Sequence, residues 1–233
     1  MGLIDDRDPL SKEISKILNE KQDQAKYIAW YTYAYGLHPF ISVAQAIIAS
    51  KLNEEYESGP NELTFDGTKA QGIFGLNDSL WILFALGKPC ISANGTPCSM
   101  KDPRLQKRDR KNINHSLFAY VHMMSDFLLS RNIVKCCTKG EYDKAIIASK
   151  YGFGKMRDNN AIVYLKKVIQ YAQIVEMYFA DNISEIDDWK NTSYTVPSVF
   201  RKNFIYNVQK HPFIILRILE NRYYFDPNEQ IGT

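Results

Sequence analysis

The segment His38-Pro39-Phe40-Ile41-Ser42-Val43-Ala44-Gln45-Ala46-Ile47-Ile48-Ala49-Ser50 decides how this chain is read. Pro39 supplies the φ of a first helical turn, and residues 40–53 contain no Gly or Pro, which predicts a helix over that stretch. At about 100° per residue, Phe40, Ile41, Val43, Ala44, Ile47, Ile48 and Leu52 cover most of its surface, so the helix runs through the interior. One narrow stripe breaks that rule. Ser42, Gln45, Ala49 and Asn53 fall within about 80° of one another, and hydrophilic groups on a buried helix either find partners or line a cleft. Ala49 stands in the middle of the stripe.

Around this segment the pattern is mostly helical. Leu10, Ile14, Ile17, Leu18, Ile28, Tyr31 and Tyr35 recur largely at steps of three or four, predicting one amphipathic helix that ends at Gly36. Over residues 54–77 the periodicity dissolves into Ser58-Gly59-Pro60-Asn61, Asp66-Gly67 and Gly72 with short apolar pieces between, which reads as a loop or small β-hairpin. Residues 86–112 carry Gly87, Pro89, Gly95, Pro97 and Pro103 and then the basic cluster Arg104, Lys107, Arg108, Arg110 and Lys111, and are expected to be irregular and exposed. Helical spacing returns over residues 116–129, 142–150 and 160–179, the last through Ile162, Leu165, Val168, Ile169, Ala172, Val175 and Met177. Beyond Asp181, an acidic link leads to an aromatic tail with two expected helices, over residues 198–210 and 212–223.

Composition narrows the function classes only a little. With 233 residues and 45% hydrophobic content the chain can bury one substantial core. A net charge of +3 is too weak to point to nucleic acid, although it suits an anionic polymer. Fifteen Tyr, twelve Phe and three Trp serve equally for core packing or for stacking on sugar rings. No apolar run is long enough to span a membrane, and Met1-Gly2-Leu3-Ile4-Asp5-Asp6-Arg7 lacks the basic-then-apolar order of a secretory signal. Cys90, Cys98, Cys136 and Cys137 lack the spacing of a zinc or redox site; free thiols are expected, with a Cys90 to Cys98 bridge as the alternative in an oxidising compartment. The four histidines include no i, i+4 pair, so no metal and no other cofactor is expected.

The opening segment also resembles the Pro-Ser-Val-x-x-Ala-Gln-Ala-x-x-Glu-Ser motif of glycoside hydrolase family 73, the flagellar-muramidase and endo-β-N-acetylglucosaminidase type of peptidoglycan hydrolase. Downstream, Gln71-Gly72-Ile73-Phe74-Gly75-Leu76-Asn77 resembles the Asn-Asn-x-Phe-Gly-Ile-Lys turn of that family, with Trp81 close behind. Asn114-His115-Ser116, Tyr151-Gly152 and Tyr164-Leu165-Lys166-Lys167-Val168-Ile169 resemble its later segments in order and spacing. The likeness covers roughly residues 25–180. It departs from the motif at Lys51-Leu52-Asn53, where the family often has Gly-Trp-Gly, at Gly152, and above all at Ala49, where the family carries its glutamate.

The resemblance implies that the residue at position 49 acts as general acid, protonating the glycosidic oxygen as positive charge builds on the sugar ring. Alanine cannot do this. Tyr151 is the implied supporting hydroxyl, Gln45, Phe74, Gly75 and Trp81 the implied substrate-binding frame, and Glu54, Glu57, Glu62 and Asp66, with Glu55, the loop carboxylates from which a second acid would come. Three accounts of Ala49 stay open: deliberate replacement, natural loss, or a loop carboxylate that takes over. The last demands a carboxyl within hydrogen-bond reach of the bridging oxygen, which geometry rather than the number of acids decides.

The expectation is a mainly α, lysozyme-like α+β fold with a small β-hairpin lobe flanking a substrate cleft. Residues 1–181 form that domain and residues 182–233 a helical extension. Peptidoglycan glycan strands are the expected ligand. A bacteriophage virion or tail is the expected setting, with other virion proteins docking on residues 182–233, and neither nucleic acid nor a membrane span is expected. The alternative is a non-catalytic glycan-binding or structural virion component that keeps the fold.

Overall fold

The computed structural model describes residues 8–34, 37–64, 66–85, 90–91, 97–98, 109–129, 139–151, 157–186 and 189. Among them are seven helices: α1 (Pro9–Glu20), α2 (Gln22–Ala34), α3 (Pro39–Ser50), α4 (Asp78–Phe84), α5 (Ile113–Leu129), α6 (Lys139–Tyr151) and α7 (Asn159–Phe179), the last running into a 3₁₀ turn at Ala180–Glu185. The fold is mainly α. The chain between α4 and α5 holds a two-residue antiparallel ladder, Cys90–Ile91 against Pro97–Cys98. The cysteine side chains, the basic residues Arg104, Lys107 and Arg108, and the two expected tail helices lie outside the described residues.

Helix α3 is the central element, packed against α2 on one side and α7 on the other. From Pro39 to Ile47 every residue is buried, and only Ile48 and Ala49 are partly open. His38 caps the helix, its Nδ1 accepting from the Ile41 amide at 3.4 Å. Burial lowers its pKa from the ordinary 6.5 to about 4, so the ring is a neutral acceptor. The helix stops at Ser50, three residues before the expected end, because Lys51 and Leu52 both take left-handed φ values, 55° and 60°. The Lys51 amide still bonds the Ile47 carbonyl at 2.8 Å, closing the last turn, and Leu52 is fully buried, which anchors this costly reversal.

The single helix expected over residues 10–35 is instead two, broken at Lys21 (φ −128°, ψ 36°). No Gly or Pro marks the break. Its reason is tertiary, since α1 lies against α7 whereas α2 packs on α3 and α5, and one straight helix could not present its apolar stripe to both. Helix α4, inside a stretch without a predicted element, is capped by Asn77, whose Oδ1 accepts from the Leu80 amide at 2.8 Å.

Among the described residues of the loop between α3 and α4 there is no strand. Isolated antiparallel bridges stitch it at Glu57 to Gln71, Leu63 to Lys69 and Gln71 to Leu76. Asp66 organises its tip, accepting from the Thr64 and Thr68 hydroxyls at 2.6 and 2.7 Å and from the amides of Thr68 and Ser79 at 3.0 and 2.9 Å. Those bonds hold its carboxyl well below the usual carboxylate range against the opposing effect of burial. Gly72 (φ 73°) meets the segment just before α5 so closely that a Cβ there would lie 2.0 Å from the Arg110 carbonyl oxygen. Arg110 in turn pairs with Asp78 at 2.6 Å, and Lys111 with Glu55 at 3.6 Å, so this end of the basic cluster clamps the loop.

Past α7, two described residues lie against the helices. Ile186 and Trp189 are buried, Trp189 at 5.0 Å from the Phe179 ring, which itself stacks on Phe40 of α3. Ile186 and Trp189, beyond Asp181, thus pack on the helical body.

The buried neutral His38 carries a pH signature. Because its folded pKa is depressed, its contribution is present above pH 6.5 and is lost as pH falls toward about 4. Wild-type stability should decline on the order of 3 kcal/mol across that window from this group. Chemical denaturation of His38→Asn, which keeps an N-cap acceptor, should show a flatter pH dependence.

Candidate functional site

Two half-open cavities adjoin where the end of α3 meets the α3–α4 loop. The first, of about 470 Å³, is lined by Tyr56, Glu62, Gly75, Asn77, Lys150 and Tyr151 among others. The second, of about 440 Å³, is lined by Glu13, Ala49, Lys51, Tyr56, Lys167 and Tyr171 among others. Tyr56 lines both. At this junction Gly75 (φ 58°) faces α3, and a Cβ on it would come within 3.3 Å of the Ala49 Cβ and 3.9 Å of the Tyr56 ring. Glycine here lets the loop backbone approach Ala49 closely.

The groove thus gathers Ala49, Gly75 and Tyr151 from among the residues the sequence singled out. Tyr151 is half-buried at the end of α6, its ring edge-on to Tyr164 at 5.8 Å between centroids. Phe74, Trp81 and Gln45 are placed differently: none of them lines either cavity. Phe74 stacks on Tyr120 at 4.0 Å with an 11° interplanar angle, and Trp81 is buried beneath the Arg110 guanidinium at 5.9 Å. Both are buried.

Gln45 has its hydrogen-bonding capacity occupied. Its Nε2 donates to Ser149 Oγ at 2.9 Å and to Tyr164 OH at 3.2 Å, while Oε1 accepts from Tyr120 OH at 2.7 Å. One amide therefore ties α3 to α5, α6 and α7. Burial pushes both phenols up, Tyr164 to about 12, so they stay protonated across the working range.

The loop carboxylates separate on geometry. Glu57 is taken up by Lys69 at 2.6 Å, a pairing that lowers its pKa, and by the Gln71 amide at 3.3 Å. Asp66 is spent on the loop tip, Glu55 faces Lys111, and Glu54 sits in the turn after α3. Of this group, Glu62 is the one that lines either of these two cavities. Across from it Lys150 has its pKa lowered by burial, with Glu62 acting in the opposite direction. Tyr56 is raised by burial and by the same carboxylate.

Sequence reasoning passed over Tyr56, Glu13, Lys150, Lys167 and Tyr171. Tyr56 had a legible signal, as the lone aromatic in the acidic run Glu54-Glu55-Tyr56-Glu57. Glu13, Lys167 and Tyr171 look like ordinary positions on amphipathic helices, and only the packing of α1 and α7 beside α3 brings them to Ala49.

Among the described residues no group of three His, Cys, Asp or Glu is placed to hold a metal ion, and no helix is long and apolar enough to cross a membrane. Compared with known protein families, curated proteins and solved structures, the chain matches none.

Replacing Gln45 by Ala would strand the Tyr120 hydroxyl in the core and remove partners from Ser149 and Tyr164. Loss of about 2–3 kcal/mol of stability is expected in urea unfolding. The apolar isostere Gln45→Met, which keeps the volume, should recover none of the loss due to the stranded hydroxyl.

Proposed function

We propose that this chain carries the groove of a peptidoglycan-degrading glycosidase of the endo-β-N-acetylglucosaminidase or muramidase type, on a lysozyme-like plan whose bridge-stitched loop is the small β lobe, and that it is disarmed at Ala49. The observation that carries the reading is the coincidence of two independent lines. The residue that sequence resemblance equates with the general acid is one of the few positions of α3 that opens on a groove, next to Gly75, Tyr56 and a cavity holding Glu62 and Tyr151.

Position 49 suits an acid physically. It lies in the last turn of α3, where the negative end of the helix dipole disfavours a carboxylate and so favours the protonated, donating form. Lys51 works against this, although its ammonium is engaged by Glu13 at 3.0 Å. In this reading Glu62, which lines the adjoining cavity with Tyr151, is the second carboxylate, and Tyr151 is the supporting hydroxyl. With alanine at 49 the proton donor is missing, and a loss of roughly 10²–10⁴ in rate follows for a leaving group that needs protonation.

A second reading is favoured by that same absence: a glycan-binding or structural component, in a phage virion or tail, that keeps the groove for attachment and docks through residues 182–233. Turbidity loss of purified walls separates the two. Clearing by Ala49→Glu with inert wild type supports a disabled glycosidase, and the gain should fall within about 10²–10⁴. Inert behaviour of both proteins sinks the catalytic reading. Mass analysis of released fragments tells hydrolysis from an anhydro-forming cleavage.

A further inference from the structure

The two cavities differ in charge. In the first, the Lys150 ammonium is set against the Glu62 carboxylate. In the second, Lys51 and Lys167 stand with a single carboxylate, Glu13, and that carboxylate is matched to Lys51 at 3.0 Å. Lys167 lies over the Tyr171 ring at 5.4 Å, and no carboxylate among the described residues pairs with it. An unmatched ammonium on an aromatic platform at the wall of a half-open cavity is suited to a ligand that offers an apolar ring face and a carboxylate together.

Resting on the glycan reading above, we propose that the Ala49 cavity is the subsite for the sugar unit that bears a carboxylate, with Lys167 as its specificity-determining cation. Tyr56 is the divider, so the neutral N-acetylated unit lies in the Glu62 cavity. This gives the bound strand a direction, which the catalytic motif alone does not.

The magnitude is modest. An exposed ammonium–carboxylate pair changes affinity by about two- to five-fold and weakens with salt. Glu13 lies in the same cavity and opposes an incoming carboxylate, so its neutralisation should act in the reverse sense.

The test titrates the full chain with two tetrasaccharides, the N-acetylglucosamine tetramer and an alternating wall-derived tetrasaccharide freed of its peptide stems, which keeps its sugar carboxylates. Wild type should prefer the acidic ligand. Lys167→Ala should lower affinity for it by about two- to five-fold and leave the neutral tetramer unchanged, Glu13→Gln should raise it, and added salt should narrow the preference. Lys166→Ala, an exposed neighbour on the same helix that does not line the cavity, is the control and should change neither. Equal effects of Lys167→Ala on both ligands, or none on either, overturn the assignment while the glycan reading stands. Failure of wild type to bind either tetrasaccharide overturns both.

Discussion

A primary amide in the middle of a buried helix must be fully hydrogen-bonded, and the way Gln45 meets that demand determines where the rest of this molecule sits. Its partners Tyr120, Ser149 and Tyr164 come from three other helices, 75, 104 and 119 residues further along the chain. An unpaired polar group in this setting costs on the order of 1–3 kcal/mol, a large share of the net stability of a domain this size. The network therefore selects one arrangement of α5, α6 and α7 around α3 among the many that hydrophobic burial alone would permit. Because Ser149 and Tyr151 lie on the same end of α6, fixing the first also fixes the second at the groove.

The ends of α3 show a similar coupling of sequence to site. A neutral His38 cap starts the helix, and the left-handed pair Lys51 and Leu52 ends it, turning the chain into the loop that carries Tyr56, Glu62 and Gly75. Had the helix continued through Asn53, that loop would leave along the helix axis. Instead it folds back beside Ala49, where Gly75 makes its close approach. Ser50 secures the return, its hydroxyl donating to the Ile73 carbonyl at 2.7 Å.

Much of the helical content was legible because it rests on local periodicity. The bounds of α7 differ by one residue from the predicted span, and those of α5 and α6 by three at the N-terminal end. The break at Lys21 and the stop at Ser50 were not legible, since neither has a Gly or Pro and both answer to tertiary packing. No element was predicted where α4 lies, although Asn77 followed by an apolar run is a readable start signal. At the site the polar stripe was correctly seen as needing partners or a cleft, but spacing cannot say which. Ser42 bonds the His38 carbonyl of its own helix, Gln45 is satisfied inside the core, and Ala49 alone opens on the groove. Five candidate acids were indistinguishable by sequence because only ion-pair geometry separates Glu57, held by Lys69, from Glu62, which faces the cavity.

The account finally depends on the groove across Tyr56 being where an amino-sugar polymer lies. Backbone amide shifts of the unmodified protein, followed by NMR during addition of peptide-free wall glycan fragments, test this most directly. The account predicts that the largest changes fall on Ala49, Tyr56, Gly75 and Tyr151, on both sides of the divider. Absence of any change, or changes confined to a surface away from α3 and its following loop, would contradict it.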